Sequence, residues 1–235
     1  MKPERLFTLI AGSTLVTVGA ISLLGNIFFS TQSWRLWPII IVLAGLGLTA
    51  PGFFGLSRRG LGAFFIPGIP VLTTGSILLF ASLTRHWGIW AVAWPLEVLA
   101  VALGFALSAV YMRVAGLAIP AFIIGLNGLL LGFCALTSLW QAWAILWPIE
   151  PLSVGLGLLV LSMANKSAGV KLAATILFSI AGMGFFITAF ISVFNHTILR
   201  FAVPAMLFVT GLLLVGSFFV GKQALPMEQS TPTEQ

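Results

Sequence analysis

Long apolar stretches recur along the whole chain, separated by short segments that carry charges and polar turn residues. They run near residues 6 to 30, 36 to 56, 61 to 82, 91 to 112, 115 to 137, 144 to 164, 171 to 194 and 200 to 220. About 20 apolar residues in helix cross a hydrocarbon core of roughly 30 Å. The stretches are continuously apolar rather than alternating, which favours helices over barrel strands. The pattern predicts an all-α polytopic membrane protein with about eight transmembrane helices.

Composition leads to the same class of protein. Hydrophobic residues make up 60% of the chain and charged residues only 7%, with a mean hydropathy of +1.14, well outside the range of soluble domains. The net charge of +6 comes from basic residues spread over short loops, and these form no basic stripe of the kind that binds nucleic acid. The predicted partner is therefore the lipid bilayer, together with a membrane protein or a second copy of the chain.

The basic residues also predict an orientation. In an eight-span arrangement one side carries Lys2, Arg5, Arg58, Arg59, Arg113, Lys166, Lys171 and Lys222, and the other side carries Arg35, Arg85 and Arg200. Cytoplasmic loops are enriched in Lys and Arg. We therefore expect a multi-pass protein of the cytoplasmic membrane with both termini in the cytoplasm. The first apolar run is too long for a signal-peptide core and lacks a small-residue cleavage site, which predicts a retained span. Residues 223–235 are polar and predict a disordered tail.

The tryptophans reveal an internal repeat. All eight lie just before a proline that opens an apolar run: Trp34, Trp37 and Pro38; Trp87, Trp90, Trp94 and Pro95; Trp140, Trp143, Trp147 and Pro148. The second and third copies share the pattern W-x-x-W-x-x-x-W-P-x-E, which ends at Glu97 and Glu150, 53 residues apart. A weaker fourth copy keeps Pro204. We expect four tandem helical hairpins, near 6–56, 61–112, 115–164 and 171–220, all in one orientation and unlike the inverted repeats of many transporters.

Glycines predict where the helices meet. The odd-numbered spans of the first three hairpins carry glycine pairs seven residues apart: Gly12 and Gly19, Gly68 and Gly75, Gly125 and Gly132. The even-numbered spans carry Gly45, Gly47, Gly104, Gly155 and Gly157. Seven residues are two helical turns, so both members of a pair lie on one face. In lipid, small residues that let backbones approach mark helix interfaces. On the same reasoning, Asn127 in the fifth span is expected to bind a neighbouring helix.

The tryptophan motif has two interpretations. Tryptophan is enriched at the membrane interface, and proline in the first helical turn costs no hydrogen bond, so an aromatic belt at a helix start explains most of the motif. Alternatively, in each of the two full copies the three tryptophans and the glutamate lie on one helical side if the segment is helical. That surface could contact a partner subunit, a lipid or a pigment, or hold a cation by cation–π attraction.

Glu97 and Glu150 are the only acidic residues within the apolar runs. Ionisable groups inside a membrane are candidates for function, because a carboxylate at the bilayer centre costs roughly 2.5 to 3.5 kcal/mol. Each lies two residues past a proline, however, and therefore near the outer interface, where it can interact favourably with a helix N-terminus. A structural role is favoured, in which the carboxylates accept hydrogen bonds from indole N–H groups or pair with Arg85 or Arg35.

No catalytic or metal-binding chemistry can be read from the chain. His86 and His196 have no cysteine or acidic residue at ligand spacing, and the single Cys134 allows no disulfide framework. Nucleotide-binding and hydrolase motifs are missing from the sequence. The sequence therefore predicts neither an enzyme nor a bound cofactor or metal.

The first hairpin resembles a known family. Its G-x6-G pair, its loop from Trp34 to Ile41 and its glycine-bearing return helix are similar to the LiaI/LiaF-like transmembrane region. That region is a bacterial two-helix module found in membrane proteins of cell-envelope stress signalling. A looser similarity is to the acid-resistance membrane proteins of the HdeD type. Neither family implies a catalytic residue, and the first implies a bacterial inner-membrane protein with a role in envelope stress.

These observations lead to two functional expectations. The first is a non-enzymatic membrane scaffold, accessory subunit or envelope-stress component that acts through its helix faces and a tryptophan-rich outer rim. The alternative is a small channel or transporter that uses Glu97 and Glu150 as its polar lining.

Overall fold

The computed structural model describes residues 3–28, 33–54, 59–192 and 199–220, and every regular element in these ranges is a helix. Arg58, His196, Lys222 and the predicted tail at 223–235 lie outside the described residues, as does Lys2. The long helices are α1 (Pro3–Phe28), α2 (Ile39–Phe54), α3 (Phe65–Thr84), α4 (Pro95–Met112), α5 (Ala118–Thr137), α6 (Ile149–Asn165), α7 (Ala168–Ser192) and α8 (Leu199–Val220).

Five helical segments of the described chain are long and apolar enough to cross a membrane: Trp34–Phe54, Arg59–Thr84, Pro95–Met112, Ala115–Thr137 and Ala168–Ala189. Ile149–Asn165 is a shorter apolar helix, and the apolar stretches Gly12–Gly25 of α1 and Val203–Phe218 of α8 are also shorter. Large apolar side chains such as Val110 and Leu136 are 73% and 74% exposed, and apolar surface on this scale marks contact with lipid or with another protein. The prediction of an all-helical fold is confirmed for the described residues, and the long apolar helices indicate a membrane-embedded protein.

The helices pack in series. Extensive interfaces join α2 to α3, α3 to α4, α4 to α5, α5 to α6, α6 to α7 and α7 to α8. Among the described residues α1 forms no interface of comparable extent. The most continuous core lies in the second half of the chain, where Phe178 and Phe185 of α7 are fully buried against α5, α6 and Val203 of α8.

Helices α2, α4 and α6 begin at the three tryptophan–proline steps. Pro38, Pro95 and Pro148 are fully buried. Behind each of them an N–H donates to the tryptophan carbonyl, from Ile40 to Trp37 at 3.2 Å, from Glu97 to Trp94 at 3.0 Å and from Glu150 to Trp147 at 3.0 Å. Since a proline in the first turn lacks only an N–H that has no intrahelical partner, the step starts a helix without loss of a bond.

Four non-glycine residues with left-handed backbone end helices α3 to α6. They are Arg85 (φ 58°), Arg113 (φ 57°), Ser138 (φ 59°) and Lys166 (φ 51°). Glycine is the usual residue at this position, yet this glycine-rich chain places three cations and a serine there. Arg85 and Ser138 are 53 residues apart, as are Arg113 and Lys166, so the two consecutive helix pairs end in the same way.

Glycines bring α2 and α3 into backbone contact. A Cβ atom built on Gly45 would lie 2.5 Å from the backbone nitrogen of Leu72, and one on Gly75 would lie 2.7 Å from that of Val42. A Cβ on Gly68 would lie 2.7 Å from Cγ2 of Thr49. Distances this short leave no room for a side chain, so these glycines set the separation of the two helices.

Further close approaches recur at the next interfaces. A Cβ on Gly128 would lie 2.8 Å from Leu99, and one on Gly157 would lie 2.6 Å from Cα of Ile119. Gly125 and Gly132 make ordinary contacts, because the nearest atoms to their Cβ positions are at 3.5 and 3.9 Å. At Gly12 and Gly19 the described structure places no atom within 4 Å. The tightest glycine of α5 is therefore Gly128, which follows Gly75 by 53 residues.

Candidate functional site

The two full tryptophan motifs fold as short helical turns that run into a long helix. In the second copy of the motif a 3₁₀ turn at Trp87–Ile89 is followed by the helical turn Trp90–Ala93 and then by α4. In the third copy the helical turn Ala142–Leu146 precedes α6. Trp87, Trp140, Trp143 and Trp147 are between 38% and 50% exposed, and Trp90 and Trp94 are partly buried. The motif thus combines rings packed on the protein with rings that remain accessible.

One aromatic contact joins the two copies. The rings of Trp94 and Trp140 stack with their centroids 6.4 Å apart and their planes 7° from parallel. Aromatic pairs are favourable at centroid distances of about 4.5 to 7 Å. The last tryptophan of one copy and the first of the next therefore belong to one continuous surface, defined here as the tryptophan rim (Trp87, Trp90, Trp94, Trp140, Trp143 and Trp147).

Directly behind the rim, Glu97 links α4 to α3. The hydroxyl of Thr74 lies 3.0 Å from Oε2 of Glu97 and donates to it. The other carboxyl oxygen, Oε1, is buried and has no hydrogen-bond partner among the described residues. Glu97 thus spans the interface between two helices with one oxygen satisfied and the other enclosed.

Glu150 makes the corresponding link between α6 and α5. Nδ2 of Asn127 donates to Oε2 of Glu150 at 3.0 Å and to the carbonyl of Ile123 at 3.0 Å. The amide nitrogen carries two protons, and each has its own acceptor. The prediction that Asn127 binds a neighbouring helix is confirmed by this hydrogen bond.

The two links occupy the same position in the chain but differ in chemistry. Thr74 and Asn127 are 53 residues apart, as are Glu97 and Glu150. The Thr74 hydroxyl also lies 3.0 Å from the carbonyl of Pro70, so its single proton faces two acceptors, whereas the Asn127 amide has a proton for each. The α3–α4 link is therefore the less completely satisfied of the two.

Other contacts anticipated from the sequence are not seen in the described part of the chain. The carboxylates of Glu97 and Glu150 are held by Thr74 and Asn127, not by an indole N–H or by Arg35 or Arg85. Thr74 was not singled out by sequence reasoning. The signal that points to it is its position 23 residues before Glu97, which matches the position of Asn127 before Glu150.

Two grooves lie away from these carboxyl groups. An apolar groove of about 560 Å³ is bounded by α4, α5 and α6 near Arg113. A second groove, of about 470 Å³, lies along α7 beside Trp147. Neither is lined by Glu97 or Glu150. Within the described residues no group of three His, Cys, Asp or Glu side chains is placed to hold a metal ion.

Fold and site together define a helical membrane-embedded protein whose intramembrane polar groups join neighbouring helices. Comparison of the chain with protein-family models, with curated proteins and with solved structures finds no match. The resemblance of the first hairpin to the LiaI/LiaF-like region, and the looser one to the HdeD type, stay predictions.

Proposed function

We propose that the protein is a non-enzymatic scaffold or accessory subunit of the cytoplasmic membrane, which acts through its lipid-facing helices and its tryptophan rim. The observation that carries this proposal is the use made of the intramembrane polar groups. Glu97 and Glu150 both bond to a side chain of the adjacent helix. Such bonds fix the arrangement of neighbouring helices, and a scaffold requires a fixed arrangement of its surfaces.

The energetic cost of charge in a membrane favours a structural role for the carboxyl groups. A charged carboxylate at the bilayer centre costs roughly 2.5 to 3.5 kcal/mol, so such a group needs a compensating partner. Interhelical hydrogen bonds in membranes average about 0.6 kcal/mol and reach about 1.7 kcal/mol. Placement in the first turn of α4 and α6 adds a favourable interaction with the helix N-terminus and keeps each group near the interface.

In this proposal eight spans form four tandem hairpins, the tryptophan rim faces outward and both termini are cytoplasmic. Support comes from the distribution of cations: Arg59, Arg113, Lys166 and Lys171 flank the helix ends opposite the rim, and Arg85 lies on the rim side. The recurrence of the links at Glu97 and Glu150 after 53 residues supports the view that the second and third hairpins are copies of one unit. A role in a bacterial cell envelope follows from the family resemblance alone.

Cysteine labelling tests the orientation. In a Cys134→Ser background, Arg85→Cys and Lys166→Cys place one thiol on each proposed side of the membrane, at exposed positions of the same backbone conformation. We expect an impermeant maleimide to label Arg85→Cys in intact cells and Lys166→Cys only after permeabilisation. The opposite pattern, or labelling of both in intact cells, would refute the arrangement.

The scaffold role is tested by what accompanies the protein. After extraction from its own membrane in a mild detergent, we expect a second membrane protein or a second copy of the chain at stoichiometric level, measured by mass spectrometry of the intact assembly. The Trp140→Ala variant should lose that component if the rim makes the contact, with Trp34→Ala as a tryptophan control outside the rim. A solitary chain that carries only lipid would contradict the proposal.

A small channel or transporter is the second candidate, and one observation favours it. Oε1 of Glu97 is buried without a hydrogen-bond partner among the described residues, which is unusual for a purely structural carboxyl group. If this candidate is right, exchanging Glu97 and Glu150 for Gln together should abolish proton or cation flux in proteoliposomes while the helical content is retained. No flux with the parent protein, or equal flux with the variant, would exclude it.

A further inference from the structure

The groove near Arg113 has a definite form. It lies between α4 and α6, which both pack on α5, and the first turns of α5 make its floor. Alanines line it from all three helices: Ala106 and Ala109 of α4, Ala118 and Ala121 of α5, and Ala164 of α6. Short side chains on three neighbouring helices leave a volume of about 560 Å³. This is within the range of about 300 to 1,000 Å³ of ligand pockets.

Its one charged lining residue is Arg113. Arg113 is exposed and ends α4 in the left-handed conformation. The acidic residue of α4, Glu97, stands in the first turn of that helix, about 24 Å away at 1.5 Å per residue. The guanidinium therefore has no carboxylate from its own helix to pair with, and the groove combines an apolar wall with a positive charge at one end.

A second cation lies at the same end. Lys166 ends α6 in the same conformation as Arg113 and follows the groove-lining Ala164 by two residues. The turn Ala115–Leu117, which follows Arg113, packs against α6. The helix dipole favours cations at both C-termini, and Glu150 lies in the first turn of α6, far from Lys166. Arg113 thus lines the groove, and Lys166 lies two residues beyond its α6 wall, where that helix also ends.

We propose that this groove binds one anionic phospholipid, with the phosphate at Arg113 and Lys166 and an acyl chain along the alanine wall. The inference goes beyond the proposed function and rests only on the protein being embedded in a membrane. An apolar trough that opens beside lipid-facing residues and ends in cations complements a molecule with a long apolar chain and an anionic head. Basic pockets between transmembrane helices on the cytoplasmic side bind acidic head groups in this manner.

The test measures how much added lipid the protein binds. The purified full chain in detergent is titrated with phosphatidylglycerol or with phosphatidylcholine and analysed by native mass spectrometry. We expect one phosphatidylglycerol per chain and weaker binding of phosphatidylcholine. Since a basic residue near a membrane surface contributes about 1 kcal/mol of attraction to anionic lipid, Arg113→Gln should weaken phosphatidylglycerol binding by about fivefold. Arg85→Gln is the matched control, because Arg85 has the same backbone conformation but lies at the C-terminus of α3 and does not line the groove.

Blocking the groove gives an independent measure. Ala109→Leu should displace the lipid while Arg113 is unchanged, and helical content and elution volume show whether that variant folds. Equal binding of the two lipids, or an equal loss of phosphatidylglycerol binding in Arg85→Gln and Arg113→Gln, would overturn the proposal. A folded Ala109→Leu variant that binds phosphatidylglycerol as well as the parent would overturn it too. If Ala109→Leu does not fold, the comparison of phosphatidylglycerol binding by Arg113→Gln and Arg85→Gln decides whether the proposal holds.

Discussion

Adding one methyl group at Gly45 should separate α2 from α3. A Cβ atom there would lie 2.5 Å from the backbone nitrogen of Leu72 and 2.6 Å from its Cα. Ordinary van der Waals contact begins at 3.4 Å, so the helices must move apart by 3.4 − 2.5, or about 0.9 Å. The obstacle is backbone, which cannot turn aside as a side chain can. The shift would also loosen the contacts at Gly68 and Gly75, which lie on the same interface.

The loss of stability caused by Gly45→Ala can be estimated by comparison with a second glycine of the same helix. Overpacking costs about 1 to 3 kcal/mol, while alanine is better than glycine in a helix by about 1 kcal/mol. Gly47→Ala, two residues further along α2, gains the same propensity but meets no described atom within 4 Å. The propensity contribution cancels between the two variants, so Gly45→Ala should be less stable than Gly47→Ala by about 1 to 3 kcal/mol.

Reversible unfolding in mixed micelles of dodecyl maltoside and dodecyl sulfate provides the measurement. The eight tryptophans supply a fluorescence signal, and circular dichroism reports helical content. Equal unfolding free energies for Gly45→Ala and Gly47→Ala would refute the reasoning, because the close approach of α2 and α3 would then contribute nothing to stability. A lower stability of Gly47→Ala would contradict it as well.

The same unfolding assay tests the polar links and the rim. Asn127→Leu removes the hydrogen bond between α5 and α6 and should cost about 0.6 to 1.7 kcal/mol; parent-like stability would mean that the link carries no energy. Thr74→Asn replaces a hydroxyl, which has one proton for two acceptors, with an amide nitrogen that has two protons. This change should raise stability. A loss of stability would show that the missing proton does not limit the α3–α4 link. Trp140→Ala should cost about 0.5 to 1.5 kcal/mol more than Trp143→Ala, because only the first loses the stack with Trp94; equal losses would contradict this.

Sequence patterns identify the helices and their starts well. Continuous apolar runs specify helices in lipid because the backbone must satisfy its own hydrogen bonds there. The prolines at 95 and 148 mark the helix starts to within a residue. Such features depend only on local chemistry, which is why a single chain suffices to predict them.

Which residues meet across an interface depends on how each helix is rotated, and an apolar sequence hardly specifies that. Gly45 and Gly47 look equivalent in the chain, yet only Gly45 touches α3 closely. In α5 the seven-residue spacing pointed to Gly125 and Gly132, whereas the closest approach is at Gly128. Gly128 keeps the 53-residue register of the tryptophan motif and Gly125 does not. The 53-residue repeat of the tryptophan motif is therefore a better guide to the interface glycines than the seven-residue glycine spacing.

Asn127 and Thr74 illustrate the same limit for polar residues. An amide within an apolar run is rare enough to stand out, and lipid leaves it little choice but another helix. A threonine hydroxyl can donate to a carbonyl of its own helix, as that of Thr74 does at Pro70. The presence of a threonine therefore does not predict a contact with another helix, such as the one with Glu97. The pairing with Glu97 becomes visible only when the two motif copies are aligned.

The serial packing of the helices has a consequence for how the chain is made. Every extensive interface among the described residues joins neighbours in sequence, from α2 to α8, so each helix from α3 onward finds a docking partner already in the bilayer when it leaves the ribosome. None of these described helices waits for a partner distant in sequence, which keeps contact order low and assembly fast. As in solenoids, stability then approximates a sum of nearest-neighbour interfaces. A defect at the α2–α3 interface should therefore leave the α6–α7 pair able to form during biosynthesis.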